Sequence, residues 1–302
     1  MRINNNIPAL NTHRIFTGNT NAMQKSLERL SSGKRINRAA DDAAGMAISQ
    51  KMQAQVRGLR QASRNSLDGI SLIQTAEGAL NEIHAMLQRM RELSVQGANG
   101  TYTEDDLKAI GDEIVQLTEQ IDQISNDTEF NGKKLLNGKE KVQLQVGANE
   151  EQTIEIDMND INATISGLEI NDFKKEIEDA IEAAEKDKKL SNEKIESGIF
   201  SLKESGLKRE NFETAINIYQ GAIDRVAGMR SKLGAYQNRL EHTMKNIDNT
   251  AENLTASMSR IEDADMALEM SEFTRLNILQ QAGTAMLAQA NQLPQGVLQL
   301  LR

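Results

Sequence analysis

Residues 216–268 read INIYQGAIDRVAGMRSKLGAYQNRLEHTMKNIDNTAENLTASMSRIEDADMAL. Steps of three and four from Ile216 land on Ile216, Tyr219, Ile223, Val226, Arg230, Leu233, Gln237, Leu240, Met244, Ile247, Ala251, Leu254, Met258, Ile261, Asp265 and Leu268. Thirteen of these sixteen positions are apolar. A spacing of 3.5 residues held over so many heptads predicts a long α-helix that shares a supercoiled seam with others. At 1.5 Å per residue such a helix runs to ~80 Å, far beyond what a compact domain needs. Arg230, Gln237 and Asp265 interrupt the run, with two readings equally open. They are tolerated at partly exposed positions, or they set register as isolated polar seam residues can.

Two further runs share the spacing. From Ile48 the steps reach Met52, Gln55, Leu59, Ala62, Ser66, Gly69, Ile73, Ala76, Leu80, Ile83, Leu87 and Met90, with ten of thirteen apolar. Leu107, Ile110, Ile114, Leu117, Ile121 and Ile124 form the third. Between them, GANGTYTEDD (97–106) reads as a turn, with Thr103 and Asp106 spaced for an N-cap of the next helix. NDTEFNGKKLLNG (126–138) is loop chemistry, and Val142, Leu144, Val146 and then Ile154, Ile156, Met158 alternate with polar residues on either side of a turn at 147–150. That pattern predicts a β-hairpin. Residues 160–210 are charge-rich with little apolar periodicity and are expected to form a short insert.

A long helix early in the chain and another late in it fit an antiparallel bundle that brings both termini to one end. The fold class expected is therefore mainly α: a long antiparallel helical bundle or coiled coil with a small β-hairpin and a short variable insert. At the front, Ile3, Ile7, Leu10, Met23, Leu27 and Leu30 form a thin apolar stripe; at the back, Phe273, Leu276, Leu279, Met286, Leu293 and Val297 form a matching one. Residues 3–12 and 276–301 are nearly free of charge, in a chain where 26% of residues are charged. Uncharged ends on a charged shaft are expected to be covered by other subunits.

Composition narrows the function. With 35 basic and 44 acidic residues the net charge is -9, which argues against a nucleic-acid binder. The absence of cysteine excludes a disulfide framework, a thiol nucleophile and a thiolate metal site. No stretch reads as a cleaved secretory signal. The least charged stretch, 276–301, holds eight Asn or Gln residues and a proline, so no membrane insertion is expected. There is no HExxH, no GxxxxGK[ST] and no GxGxxG. His13, His84 and His242 stand far apart, and the adjacent Asp41 and Asp42 point apart on a helix, so capping or solvation suits them better than acid–base work. No enzyme activity, metal or cofactor is expected.

Several stretches resemble the bacterial flagellins, the filament subunits of flagella. They are LSSGKRINRAADDAAGMAIS (30–49), DGISLIQTAEGAL (68–80), QRMRELSVQ (88–96), EFNGKKLLNG (129–138), QNRLEH (237–242) and AMLAQANQLPQGVLQLL (285–301). The resemblance covers roughly 1–158 and 211–302. It implies a terminal helical polymerisation domain (1–44 and 258–302), a rod-like helical domain with the hairpin (45–159 and 211–257) and a short variable outer insert (160–210). It also implies a self-assembling homopolymer that serves motility outside the cell, exported unfolded through the flagellar type III route. The implied partners are further copies of the chain, the flagellar cap and junction proteins, an export chaperone and an animal innate immune receptor. The family's subunit-packing and receptor-recognition residues carry over onto Arg89, Leu93 and Glu113. Pro8 departs from the family's usual small residue and places the first helical turn near itself. The alternative implied is a hook–filament junction protein, which can share flagellin-like ends.

Overall fold

The computed structural model describes residues 6–138, 141–170 and 209–300, with side chains described over 6–138, 141–170 and 212–292. Its elements are α1 (Ile7–Ser32), α2 (Ala43–Gly97), α3 (Glu104–Asp127), β1 (Glu129–Phe130), β2 (Lys133–Lys134), β3 (Lys141–Gln145), β4 (Thr153–Asp157), a 3-10 turn (Met158–Ile161), α4 (Arg209–Glu262) and α5 (Met266–Leu300). The protein is mainly α, as its spacing predicts. It divides into two compact units, one formed by 1–58 and 249–302 and the other by 59–248. The limits that the family resemblance implies lie at 44/45 and 257/258.

In the second unit α2 and α4 run antiparallel. Gly97 faces the Phe212 ring, Glu77 pairs with Arg230 at 3.6 Å, and Gly69 lies against Leu240, so the partner number rises as the other falls. On α2, every expected seam position from Leu59 to Met90 is buried. On α4 the seam shifts by one residue at alternate positions. Tyr219, Val226, Leu233, Leu240 and Ile247 are buried as expected, but Ala222 and Met229 take the places expected for Ile223 and Arg230. Arg230 therefore sits half-buried at the seam edge, where its guanidinium reaches Glu77.

The seam of α3 shifts too. Ile110, Ile114 and Ile121 are buried, but Thr118 and Ser125 replace Leu117 and Ile124. Both hydroxyls are satisfied: Thr118 donates to the Ile114 carbonyl at 2.7 Å and Ser125 to the Leu136 carbonyl at 3.2 Å. A helix of 3.6 residues per turn drifts against a 3.5 repeat, so a straight helix changes which neighbour of a pair it buries. Thr103 and Asp106 form the expected reciprocal cap at the start of α3.

The expected hairpin is present, with Val142 opposite Ile156 and Leu144 opposite Ile154. It approaches α2 closely: a Cβ on Gly69 would run into Leu144 Cδ1. A smaller hairpin, β1–β2, turns at Asn131–Gly132, both with positive φ, as a two-residue turn requires. Residues 160–170, expected to belong to the insert, pack instead. Ile161, Ala163, Ile165, Leu168 and Ile170 are all buried, and the Ala163 amide donates to the Leu136 carbonyl. Lys232–Asp160 and Arg225–Glu169 tie this segment to α4. Its apolar alternation at 161, 163 and 165 was the signal for this burial. The rest of the expected insert, 171–208, lies outside the described residues.

In the first unit the late helix is not continuous to Leu268. It stops at Glu262 because residues 33–36 pair with 262–264. The Arg35 amide donates to the Glu262 carbonyl at 2.7 Å, and the Ala264 amide to the Gly33 carbonyl at 3.0 Å. Gly33, at φ 71, supplies the left-handed C-cap of α1 that lets the chain turn there. Asp265 is then no seam residue but the cap of α5, accepting from the amides of Ala267 (3.0 Å) and Leu268 (3.1 Å). Asp265→Ala is expected to cost about 0.5–2 kcal/mol and to fray the start of α5. Amide exchange of Ala267 and Leu268 checks this; unchanged protection there would refute the cap.

Candidate polymerisation interface

The terminal helices α1 and α5 pair antiparallel. Asn6 Nδ2 donates to the Ala290 carbonyl at 2.9 Å, while Ser26, twenty residues on, donates to the Glu269 carbonyl at 3.4 Å. Arg29 lies 3.7 Å from Glu269. Asn6 also caps α1 by accepting from the Ala9 amide, and Pro8 sits in the first turn, where its missing N–H costs nothing. Between the helices Leu276 and Ala290 are buried, and Phe16 lies on Gly283, where a Cβ would stand 3.3 Å from its ring.

The two expected stripes are split by this pairing. Leu276 is buried within the unit, and Met23, Leu30 and Phe273 are half-buried. Ile7, Leu10, Leu27, Leu279 and Met286 face outward, Leu10 at 64% and Met286 at 61% exposure. Ile3 lies outside the described residues, as do the side chains of Leu293 and Val297. The sequence reading missed Ile15, Met266, Leu268, Met270 and Ile278, all exposed and apolar. Leu268 falls on the heptad run, yet it is 70% exposed because α5 restarts in a new phase after Asp265. The apolar residues of α5 surround it rather than lie on one stripe, and a helix apolar on several sides needs cover on several sides. None of the helices among the described residues is long and apolar enough to cross a membrane.

The α1–α2 connection is held by Asp41. Its carboxylate takes the Lys25 ammonium at 2.6 Å and the amides of Asn37 and Arg38. The Lys25 hydrogen bond, then the amides, hold its pKa at about 2, below the ordinary 3.8. Asp42, its neighbour, caps α2 by accepting from the Gly45 amide at 2.8 Å. A carboxylate held down in this way contributes stability above its unfolded value and loses it as pH falls through the folded one. The melting temperature is therefore expected to drop between pH 3.8 and about 2, and Asp41→Asn to flatten that limb. Parallel acid limbs for the two chains in thermal melts would refute the assignment.

In the second unit, Arg89 on α2 donates to Glu113 on α3 through Nε and Nη2, the latter at 2.9 Å, and lies 3.7 Å from Glu92. All three charges are solvent-exposed. Leu93 differs from them: at 2% exposure it is part of the core and offers a partner no surface. The family resemblance sets Leu93 beside Arg89, but the two straddle the edge between solvent and seam. Among the described residues no group of three or more His, Asp or Glu side chains could hold a metal. His84 only approaches Gln88, at 3.0 Å.

A family model for the bacterial flagellin N-terminal helical region matches residues 3–141, and one for the C-terminal helical region matches 216–301. The flagellin of Bacillus subtilis (strain 168) is 53% identical over 316 aligned residues that cover 100% of both chains. The chain belongs to the bacterial flagellin family. The flagellin of Halalkalibacterium halodurans is likewise 53% identical, with 100% of each chain covered. A solved structure of a putative flagellar hook-associated protein from Vibrio parahaemolyticus shares the fold. It has a TM-score of 0.56 at 14% identity and covers 74% of this chain and 100% of its own. The paired helices α1 and α5 lie inside the two matched regions.

Proposed function

We propose that this flagellin polymerises through its terminal unit into an extracellular flagellar filament that serves swimming. One observation carries the reading: among the described residues, the exposed large apolar side chains of the first unit, Ile48 apart, lie on the paired terminal helices. Burial of such surface gives roughly 25 cal/mol per Å². An exposed surface ion pair contributes only ~0–1 kcal/mol. Apolar contact, repeated head-to-tail and side-to-side, therefore drives an open helical assembly. The buried seams of the second unit supply the stiffness such a polymer needs.

The full-length flagellin relatives favour this reading over a hook–filament junction role. Export as an unfolded chain suits a sequence with no cysteine to cross-link in transit. An export chaperone for the C-terminal segment and contact with cap and junction proteins complete the scheme. Of the three residues carried over from the family, Arg89 and Glu113 remain available to a neighbouring subunit or an immune receptor.

The experiment is direct. Purified chain is dissociated by heat, cooled with and without filament seeds, and assayed by sedimentation and electron microscopy. Filaments that grow from seeds are the expected result. A chain that stays monomeric at every concentration and salt would overturn the reading.

A further inference from the structure

The 13 methionines are the only sulfur in a chain without cysteine. The structure sorts them. Met90, Met158 and Met229 are buried in the second unit, and Met23, Met46, Met52, Met86, Met244 and Met258 are half-buried. The exposed ones among the described residues are Met266 (46%), Met270 (51%) and Met286 (61%), all on α5. Met286 flanks the α1-facing side of that helix, one turn before buried Ala290, and Met266 and Met270 lie in its first turns.

We infer that Met266, Met270 and Met286 form an oxidation site that switches the terminal helix from assembly-competent to assembly-blocked, the ligand class being two-electron oxygen donors such as peroxides. The inference rests on the proposed role of α5 in polymerisation. In the step, the thioether sulfur attacks one peroxide oxygen and an S–O bond forms as the O–O bond breaks. Sulfur gives up two electrons, the peroxide is reduced, and the leaving oxygen departs as water after taking a proton. The product sulfoxide is polar and chiral where the thioether was apolar and pliable. In a free subunit it stays hydrated at little cost. In the assembled interface it must be desolvated, so it opposes polymerisation more than it opposes folding. Exposure sets the order of reaction, so the free subunit is the vulnerable form and assembly protects the three sulfurs.

The test uses the full chain and hydrogen peroxide. Monomer and preformed filament are exposed to peroxide for a time course, and each methionine is followed by peptide mass mapping. In the monomer, Met266, Met270 and Met286 are expected to convert before Met90, Met158 and Met229, and in the filament to be slowed. Oxidised monomer is then seeded; its critical concentration is expected to rise about tenfold, while its helicity by circular dichroism is retained. The triple variant Met266→Leu, Met270→Leu, Met286→Leu, a nearly volume-conserving change, is expected to show the same critical concentration with and without peroxide treatment, whatever its own starting value. Normal assembly of the oxidised chain, or equal inhibition of the triple variant, overturns the inference. Failure of the untreated chain to assemble overturns the filament reading instead, so the two failures are told apart.

Discussion

Deletion of residues 276–302 is expected to give a soluble, largely helical monomer that forms no filaments from seeds at any concentration. The cut removes buried Leu276 and Ala290, the Asn6–Ala290 hydrogen bond, and the exposed Ile278, Leu279 and Met286. Two losses follow from one deletion. The proposed interface loses Ile278, Leu279 and Met286, and α1 loses the helix it packs against. A 26-residue helix with a thin apolar face is marginal in water without packing, because nucleation is costly and propensity gains are small. The second unit keeps its own seam, with Ile73, Leu80, Ile83 and Leu87 fully buried, so most of the circular dichroism signal should survive. Filaments of ordinary length from the truncated chain would rule out the terminal pair as the assembly element.

Phe212→Ala is expected to destabilise the second unit by about 3–5 kcal/mol, a large share of a typical domain's ~5–15 kcal/mol. Phe212 is fully buried near the start of α4, and its ring lies on the Gly97 backbone at the end of α2. A Cβ on Gly97 would stand 2.8–2.9 Å from three ring atoms, so only glycine admits the ring there. Gly97→Ala alone should cost about 1–3 kcal/mol by overpacking, offset in part by the ~1 kcal/mol that alanine gains in a helix. Combined with Phe212→Ala, the added methyl enters the cavity, and the double variant should be more stable than the sum of the single costs implies. Urea unfolding of the four chains closes this cycle. Strict additivity would mean that the ring and the glycine do not meet in solution.

The heptad spacing announced the helices because a seam must return every 3.5 residues whatever the partner is. On α2 the spacing located the seam residue by residue from Leu59 to Met90. The alternation at 142–146 and 154–158 announced the hairpin for the same reason: a strand exposes every second side chain to one face. The flagellin-like motifs at both ends are local runs of sequence. All of these are periodic or local properties, carried by the chain itself.

Other features depend on which neighbour arrives. Met229 displaces Arg230, and Thr118 displaces Leu117, because helices drift in phase and the facing element selects between adjacent residues. Asp265 reads as a polar lapse in a seam until the pairing of 33–36 with 262–264 stops α4 and leaves it as a cap. Residues 160–170 look like insert until Leu136, Arg225 and Lys232 hold them. Leu93 looks like a surface residue until α2 is rotated by its seam. Which apolar residues of α1 and α5 are spent on each other and which face outward was likewise decided by packing. The sequence by itself determined that the chain makes long seamed helices with uncharged apolar ends. Tertiary structure alone decided the register and the outward face, because burial belongs to a pair of surfaces and periodicity to only one.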